Sequence, residues 1–380
     1  MNISYQICNK TIMDTTDPSI KFDQNGISDH YHDFVNQVLP RWQFGAYGHV
    51  EFERNIEAIR KEGEGKEFDC LLGLSGGMDS SYMLHYVVKK LGLRPLVFHV
   101  DCGWNSELAV HNINVLVEKL NVDLYTHVIN WDEMKDFQLA LFKSGVPNLD
   151  IPQDHANLTT LYHFANKYRI KYILNGGNIS TECVQYPMSW FYYGTDMRFI
   201  NDIRKKFCSN FLETYPFSSV LFHRLYLRYL RGVKLFKPLN YISYVKSEAA
   251  AELEKEYGWR SYPQKHFESR FTKFYEGYWL PTRFGYDVRK VQFSSLILTN
   301  QMTRDDALER LKSPSYDLEK IDEEFKYIAT KLGISVDELT KYLHMKKYYY
   351  WDYKNSEKLF KLGALFLNLI GVEKTKKRNK

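Results

Sequence analysis

The stretch Leu74-Ser75-Gly76-Gly77-Met78-Asp79-Ser80-Ser81 constrains this chain more than any other. Phe68 to Leu74 before it is a short apolar run suited to a buried parallel strand, and a helical pattern follows through Lys90. A glycine loop between strand and helix leaves free backbone N–H groups at the positive helix end, and phosphate is the natural guest there. Gly76 and Gly77 permit tight turning and close approach, while Ser75, Ser80 and Ser81 add hydroxyl donors. The loop is not a Walker A motif, because no lysine follows a glycine at the required place, and it is not the dinucleotide G-x-G-x-x-G. Asp79 would repel phosphate unless a cation lay between them, which assigns it to Mg²⁺. The plainer alternative makes it a helix N-cap.

The strand-helix rhythm continues. Pro95 to Val100 reads as a second strand, Glu107 to Leu120 as a helix and Val122 to Ile129 as a third strand. Trp131 to Phe142 and His155 to Tyr168 read as helices and Lys171 to Leu174 as a fourth strand. Such alternation predicts an α/β fold with a doubly wound parallel sheet. After about residue 185 the strand signal fades, and Ser243 to Tyr257, Thr303 to Leu311 and Asp317 to Leu332 look helical. Three regions follow: an N-terminal appendage (1–65), a nucleotide-binding domain (66–240) and a helical C-terminal region (241–380). Ligands of open α/β sheets bind at the carboxyl ends of strands, so the last region is expected to form one wall of the site.

Composition excludes some classes. The 51 basic and 46 acidic side chains leave only +5, too mild to imply nucleic acid. Cys8, Cys70, Cys102, Cys183 and Cys208 are scattered, odd in number and preceded by no apolar leader, which points to a reducing cytoplasm. Leu359 to Val372 contains Lys361, Gly363 and Asn368 and falls short of the roughly 20 apolar residues that cross a bilayer. With the basic tail Lys374–Lys380 it either lies on an anionic membrane surface or docks as a helix with a solvated tail.

Ser-Gly-Gly-x-Asp-Ser after the first strand resembles the PP-loop of N-type ATP pyrophosphatases, whose fold is adenine nucleotide alpha hydrolase-like. The resemblance implies ATP and Mg²⁺ as cofactors, adenylation of a carbonyl-type oxygen, pyrophosphate release, and displacement of AMP by a nucleophile. It places Asp101, in Phe98-His99-Val100-Asp101, near ribose or adenine; Lys237, before Pro238, is a further candidate phosphate contact by its charge. Asn175-Gly176-Gly177-Asn178-Ile179-Ser180-Thr181-Glu182 resembles the NAD synthetase stretch that supplies a magnesium carboxylate, so Glu182 and Asp79 share a metal on this reading. A capping carboxylate is the alternative for Glu182.

Four further segments carry a narrower resemblance: Asp14-Thr15-Thr16-Asp17-Pro18, Phe22-Asp23-Gln24-Asn25-Gly26, Gly103-Trp104-Asn105-Ser106-Glu107-Leu108-Ala109-Val110, and the run from Gly258 through His266-Phe267-Glu268-Ser269-Arg270 to Arg289-Lys290. Together they resemble the N-acetyl sugar amidotransferases of the WbpG type. That family implies conversion of an N-acetyl group on a UDP-linked diacetamido uronic acid, or a related sugar, to an acetamidino group during lipopolysaccharide O-antigen synthesis. The sugar nucleotide is then expected to meet Trp104, Asn105, Lys265, Ser269, Thr272, Arg283, Arg289 and Lys290. His266, Glu268 and Arg270 join Asp79 as catalytic candidates, because amidine formation moves protons. Each charged residue taken singly also reads as a surface ion pair, and His99 as a core histidine. The family pattern has paired Cys-x-x-Cys motifs for Zn²⁺, but here the positions read Cys8, Thr11, Ser28 and Tyr31, so no zinc is expected. No cysteine sits in a glutaminase-like context, so the resemblance implies two partners, a glutaminase and a barrel subunit that delivers ammonia. The rivals are a PP-loop enzyme of tRNA modification and a non-catalytic nucleotide-binding scaffold.

Overall fold

The apolar run before the glycine loop forms strand β1 (Cys70–Gly73), and the alternation of its side chains sets up the layers around it. The computed structural model describes residues 4–42, 46–219, 222 and 228–369. Strands β2 (Pro95–Asp101), β3 (Leu124–Val128), β4 (Tyr172–Leu174) and β5 (Lys234–Phe236) join β1 in one sheet of order β3-β2-β1-β4-β5. Every pairing is parallel, with Leu72 opposite Val97 and Leu71 opposite Ile173. The predicted doubly wound parallel sheet is the fold observed. The fifth strand was not expected. It is an edge strand of three residues whose Lys234 and Leu235 are exposed, so it carries no apolar run to read.

Cys70, Leu72 and Leu74 point to one face, where they meet Phe52, Ile56 and Ile59 of helix α1 (Ala46–Gly63) and Met83 and Leu84 of helix α2 (Met78–His85). Leu71, Phe98 and Ile173 point to the other, against Phe164 and Ala165 of helix α5 (Ile151–Lys167). Truncating one such fully buried leucine costs about 2–5 kcal/mol. Helices α3 (Glu107–Leu120) and α4 (Trp131–Ser144) follow β2 and β3. They start where Ser106 Oγ accepts the Ala109 N–H (3.1 Å) and Asn130 Oδ1 accepts the Asp132 N–H (3.0 Å).

Two elements cross the expected region boundaries. Helix α1 packs on the sheet rather than with residues 4–42, and Leu253 and Tyr257 of helix α7 (Lys246–Tyr257) belong to the same core. Much of the rest of the C-terminal region gathers around a second, aromatic core, in which Trp279 meets Phe142 edge-on at 4.8 Å and Phe274 meets Phe325 at 5.3 Å.

The N-terminal lobe is tied down by polar contacts and packing. The backbone N–H groups of Lys10 and Ser28 donate to Cys8 Sγ at 3.5 and 3.2 Å, and Arg304 donates to the Cys8 and Thr11 carbonyls. Ile12 packs against Phe293 and Ala307. Among the described residues no helix is long and apolar enough to cross a membrane. The basic tail from Lys374 lies outside the described residues.

Candidate active site

Strand order reverses about β1, and a cavity of about 720 Å³ opens at the carboxyl ends of β1, β2 and β4. The glycine loop forms its floor. Gly76 adopts φ +78°, and a side chain there would come within 2.7 Å of the Ala109 carbonyl, so the turn admits only glycine. Ser75 Oγ lies 3.0 Å from Ser80 Oγ and accepts the Gly77 N–H at 3.2 Å, which holds the loop curled. Gly77 is the N-cap of α2, so Asp79 sits in the first turn and not at the cap.

Three side chains hold Asp79. Its Oδ1 accepts from Tyr244 (2.7 Å) and Asn178 (3.1 Å), and its Oδ2 from Lys265 (2.9 Å). Asn178 also caps the short helix α6 (Ile179–Glu182), accepting the Thr181 N–H at 2.9 Å, so one residue links the two predicted metal carboxylates. Lys265 donates to Glu182 at 2.6 Å and thus bridges Asp79 and Glu182. Burial resists the charge on Asp79, but Lys265 and the Tyr244 hydroxyl outweigh it and hold the carboxyl below its usual range. The same two carboxylates raise the Lys265 ammonium against its burial. Oxygen donors converging on one cationic point suit Mg²⁺, with phosphate and water completing the shell. Among the described residues no group of three or more His, Cys, Asp or Glu converges on a metal position.

Lys237 and Lys246 also line the cavity, so three ammonium groups surround the loop. Glu268 faces it from the C-terminal region, accepting from Ser75 Oγ at 3.4 Å. That contact is set by backbone pairing: Asn105 bridges Ser269, the Ser106 N–H donates to the Glu268 carbonyl (2.9 Å) and the Arg270 N–H to the Trp104 carbonyl (2.8 Å).

The cavity has an acidic end. Asp150, Gln153, Asp154 and Asn157 reach it from α5 and its N-terminus, Glu276 and His266 from the C-terminal region. Asp150 is buried, accepting from Thr272 Oγ1 (2.8 Å) and from Gln153. Burial and the neighbouring Asp154 push it well above the carboxylate range. The Asp154 carboxylate has no hydrogen-bond partner among the described residues. Its surface faces the cavity, yet the protein surrounds it, and burial raises it to about 6 against the opposing pull of His266. Burial alone would lower His266, but Glu276, with both carboxylate oxygens at 3.1 and 3.2 Å from Nδ1, lifts it to about 9.

Of the predicted residues, Ser75, Gly77, Asp79, Ser80, Asn105, Gly176, Gly177, Glu182, Lys237, Lys265, His266, Glu268, Ser269 and Thr272 line this one cavity. Gly76, Ser81, Asp101 and Asn178 stand behind it: Ser81 Oγ accepts from Trp259 (3.2 Å), and Asp101 Oδ1 accepts the Gly103 N–H (2.8 Å). Five predicted residues do not line the cavity. Trp104 is buried between Trp131 and Phe271, with Lys331 over its ring. Arg270 pairs with Glu324 through Nε (2.9 Å) and Nη2 (3.1 Å) and stacks on Tyr327. Arg283 spends its guanidinium on the carbonyls of Leu343, Met345 and Lys346. Arg289 binds Asp287 and the Arg310 and Ser313 carbonyls, and Lys290 pairs with buried Asp14. These cations hold the fold together, since each is already paired. His99 joins both roles: it is buried, donates through Nδ1 to the Leu74 carbonyl (2.8 Å), accepts from Asn105 at Nε2 (2.9 Å), and borders the cavity.

The sequence reading missed Lys246, Tyr244, Asp150, Asp154 and Glu276. One signal was present: Asp150-Ile-Pro-Gln-Asp154 puts two carboxylates four apart on one helix face beside a proline that starts the helix.

Residues 268–366 match the family model of the LPS biosynthesis protein WbpG-like C-terminal domain. No curated protein matches the chain. Among solved structures it is similar to an NH3-dependent NAD synthetase from Campylobacter jejuni at 15% identity and TM-score 0.32, covering 70% of this chain and 97% of that one. It is also similar to an NMN synthetase from Francisella tularensis at 15% identity and TM-score 0.29, covering 59% of this chain and 92% of that one. The WbpG-like segment opens at Glu268, the residue facing the phosphate loop. The WbpG-like segment and the glycine loop thus line one cavity.

Proposed function

We propose that this chain converts an N-acetyl group of a UDP-linked diacetamido uronic acid, or a related sugar nucleotide, to an acetamidino group, with ATP cleaved to AMP and pyrophosphate. The setting would be O-antigen or other surface-polysaccharide synthesis in the cytoplasm. The observation that carries this reading is that the WbpG-like segment and the glycine loop face each other across one cavity, at Glu268 and Ser75.

In the first step the acetamido oxygen attacks the α-phosphorus and pyrophosphate leaves. Loop N–H groups and Lys237, Lys246 and Lys265 would offset the charge on the phosphates. Asp79 and Glu182 would hold Mg²⁺, which supplies further charge compensation when bound. In the second step ammonia forms a bond to the imidate carbon, the C–O bond breaks, AMP departs, and one proton passes from the incoming nitrogen to a base. His266, held protonated by Glu276, is not that base. The unpartnered Asp154 carboxylate suits the role, because its raised value lies near working pH. The product amidinium is a cation, and the acidic end of the cavity complements it.

Ammonia would come from a separate glutaminase through a barrel subunit. In support, burial pushes the Cys70 and Cys102 thiols up and the Cys208 thiol to about 12, which leaves them poor glutaminase nucleophiles.

The test incubates the purified chain with ATP, Mg²⁺, ammonium and the UDP-linked diacetamido uronic acid, and analyses products by mass spectrometry. AMP, pyrophosphate and an amidino sugar are expected, and Asp79→Ala abolishes all three while the fold persists. ADP, or turnover without acceptor, would sink the reading.

A further inference from the structure

Residues 265–268 carry three charged side chains into the cavity, and the middle one is held in an unusual way. His266 has φ +67°, a left-handed conformation that is uncommon outside glycine and is retained where the surroundings over-determine it. What holds it is Glu276, only 3% exposed, on the turn of π-helix Tyr275–Trp279 set between helix α8 (Arg270–Phe274) and the helix Leu280–Phe284. Such single π turns recur at functional sites, because the extra residue turns a side chain out of helical register. Here the aromatic neighbours Phe274, Tyr275 and Trp279 are fully packed, and the only carboxylate of the turn projects to the cavity.

Both Glu276 oxygens lie within 3.2 Å of His266 Nδ1, so Nδ1 carries the proton. Nε2 has no partner among the described residues and is the ring atom left to meet a ligand. The charged groups facing the ring are Glu276, Lys265, Glu268 and Asp154. Its neighbours in sequence place it between the carboxylate pair bridged by Lys265 and the loop touched by Glu268.

We propose that Glu276 is a positioning residue that fixes His266 as an imidazolium, whose Nε2–H donates to an anionic oxygen of the nucleotide during AMP formation. The clamp serves the AMP-forming reaction and so rests on the function proposed above. A flexible histidine in water would be mostly neutral at pH 7.5 and free to rotate. Clamped by a buried carboxylate, it presents a fixed donor at the point where charge develops on phosphate.

The test follows the imidazole resonances of the full chain by NMR against pH, with His266→Gln identifying the His266 signal. In the native chain the midpoint lies near 9. In Glu276→Gln, which keeps shape and packing, it falls by at least about one pH unit. In the amidination assay, activity that needs the imidazolium is lost as pH rises through that midpoint. The alkaline limb therefore moves down with it, and kcat falls on the order of 10²-fold while KM for ATP changes little. Glu276→Asp recovers part of both, which a merely structural role would not do for the limb. An unshifted titration or an unmoved limb in a folded Glu276→Gln overturns the proposal. Failure of the native chain to form AMP overturns the reaction reading instead, and the titration then still decides whether Glu276 holds His266 charged.

Discussion

Glu268 lies against Gly77: a methyl group added at Gly77 would come within 2.5 Å of the Glu268 carboxylate. A side-chain anion therefore rests over backbone donors suited to phosphate, and the two cannot occupy that place together. Removing its charge should tighten nucleotide binding. Glu268→Gln is expected to lower the Kd for a non-hydrolysable ATP analogue several-fold, on the order of 1 kcal/mol for one solvent-facing charge. Isothermal calorimetry reads this directly, and unchanged affinity would place the carboxylate away from the phosphates.

Lys265 joins two carboxylates that would otherwise repel each other. Lys265→Met should lower the melting temperature, and adding Asp79→Asn should restore much of the loss. A double-mutant cycle is expected to give a coupling of about 0.5–3 kcal/mol. Additive losses would show that the bridge contributes nothing to stability.

Asp154 gives a pH signature. Its folded-state carboxyl is raised from 3.8 to about 6, so the folded chain binds that proton more tightly than the unfolded chain. Stability attributable to it is present below about pH 4 and falls as pH rises through 6. Asp154→Asn should therefore melt higher than the native chain at pH 8 and at nearly the same temperature at pH 4. The reverse order would contradict the raised value.

Arg283 tests the division between structure and chemistry. Its guanidinium satisfies three carbonyls between Leu343 and Lys346, and Arg283→Met leaves buried acceptors without donors. A loss of about 2–4 kcal/mol in chemical denaturation is expected, with KM in the proposed sugar-nucleotide assay unchanged where the variant stays folded.

The sheet and the phosphate loop were legible because buried strands and a strand–glycine–helix junction leave local patterns. Strand β5 was not, since its exposed Lys234 and Leu235 carry no such pattern. The C-terminal cluster was half legible. Lys265, His266 and Glu268 do reach the cavity, whereas Arg270, Arg283, Arg289 and Lys290 look alike as letters and differ only in their partners, which the fold supplies. Glu276 escaped notice for the converse reason. A lone acid in a helical stretch reads as solvated surface until tertiary structure closes over it.

The pairing of Asn105 with Ser269 limits how this chain could be recombined. A graft that swapped everything from residue 268 onward for the corresponding part of a relative would cut through one short ladder and replace half of its rungs. On the proposed function, acceptor preference could not then be exchanged as a cassette unless the loop Gly103–Ser106 travelled with it. Swaps that carry both segments should yield working hybrids, and those that carry one should not.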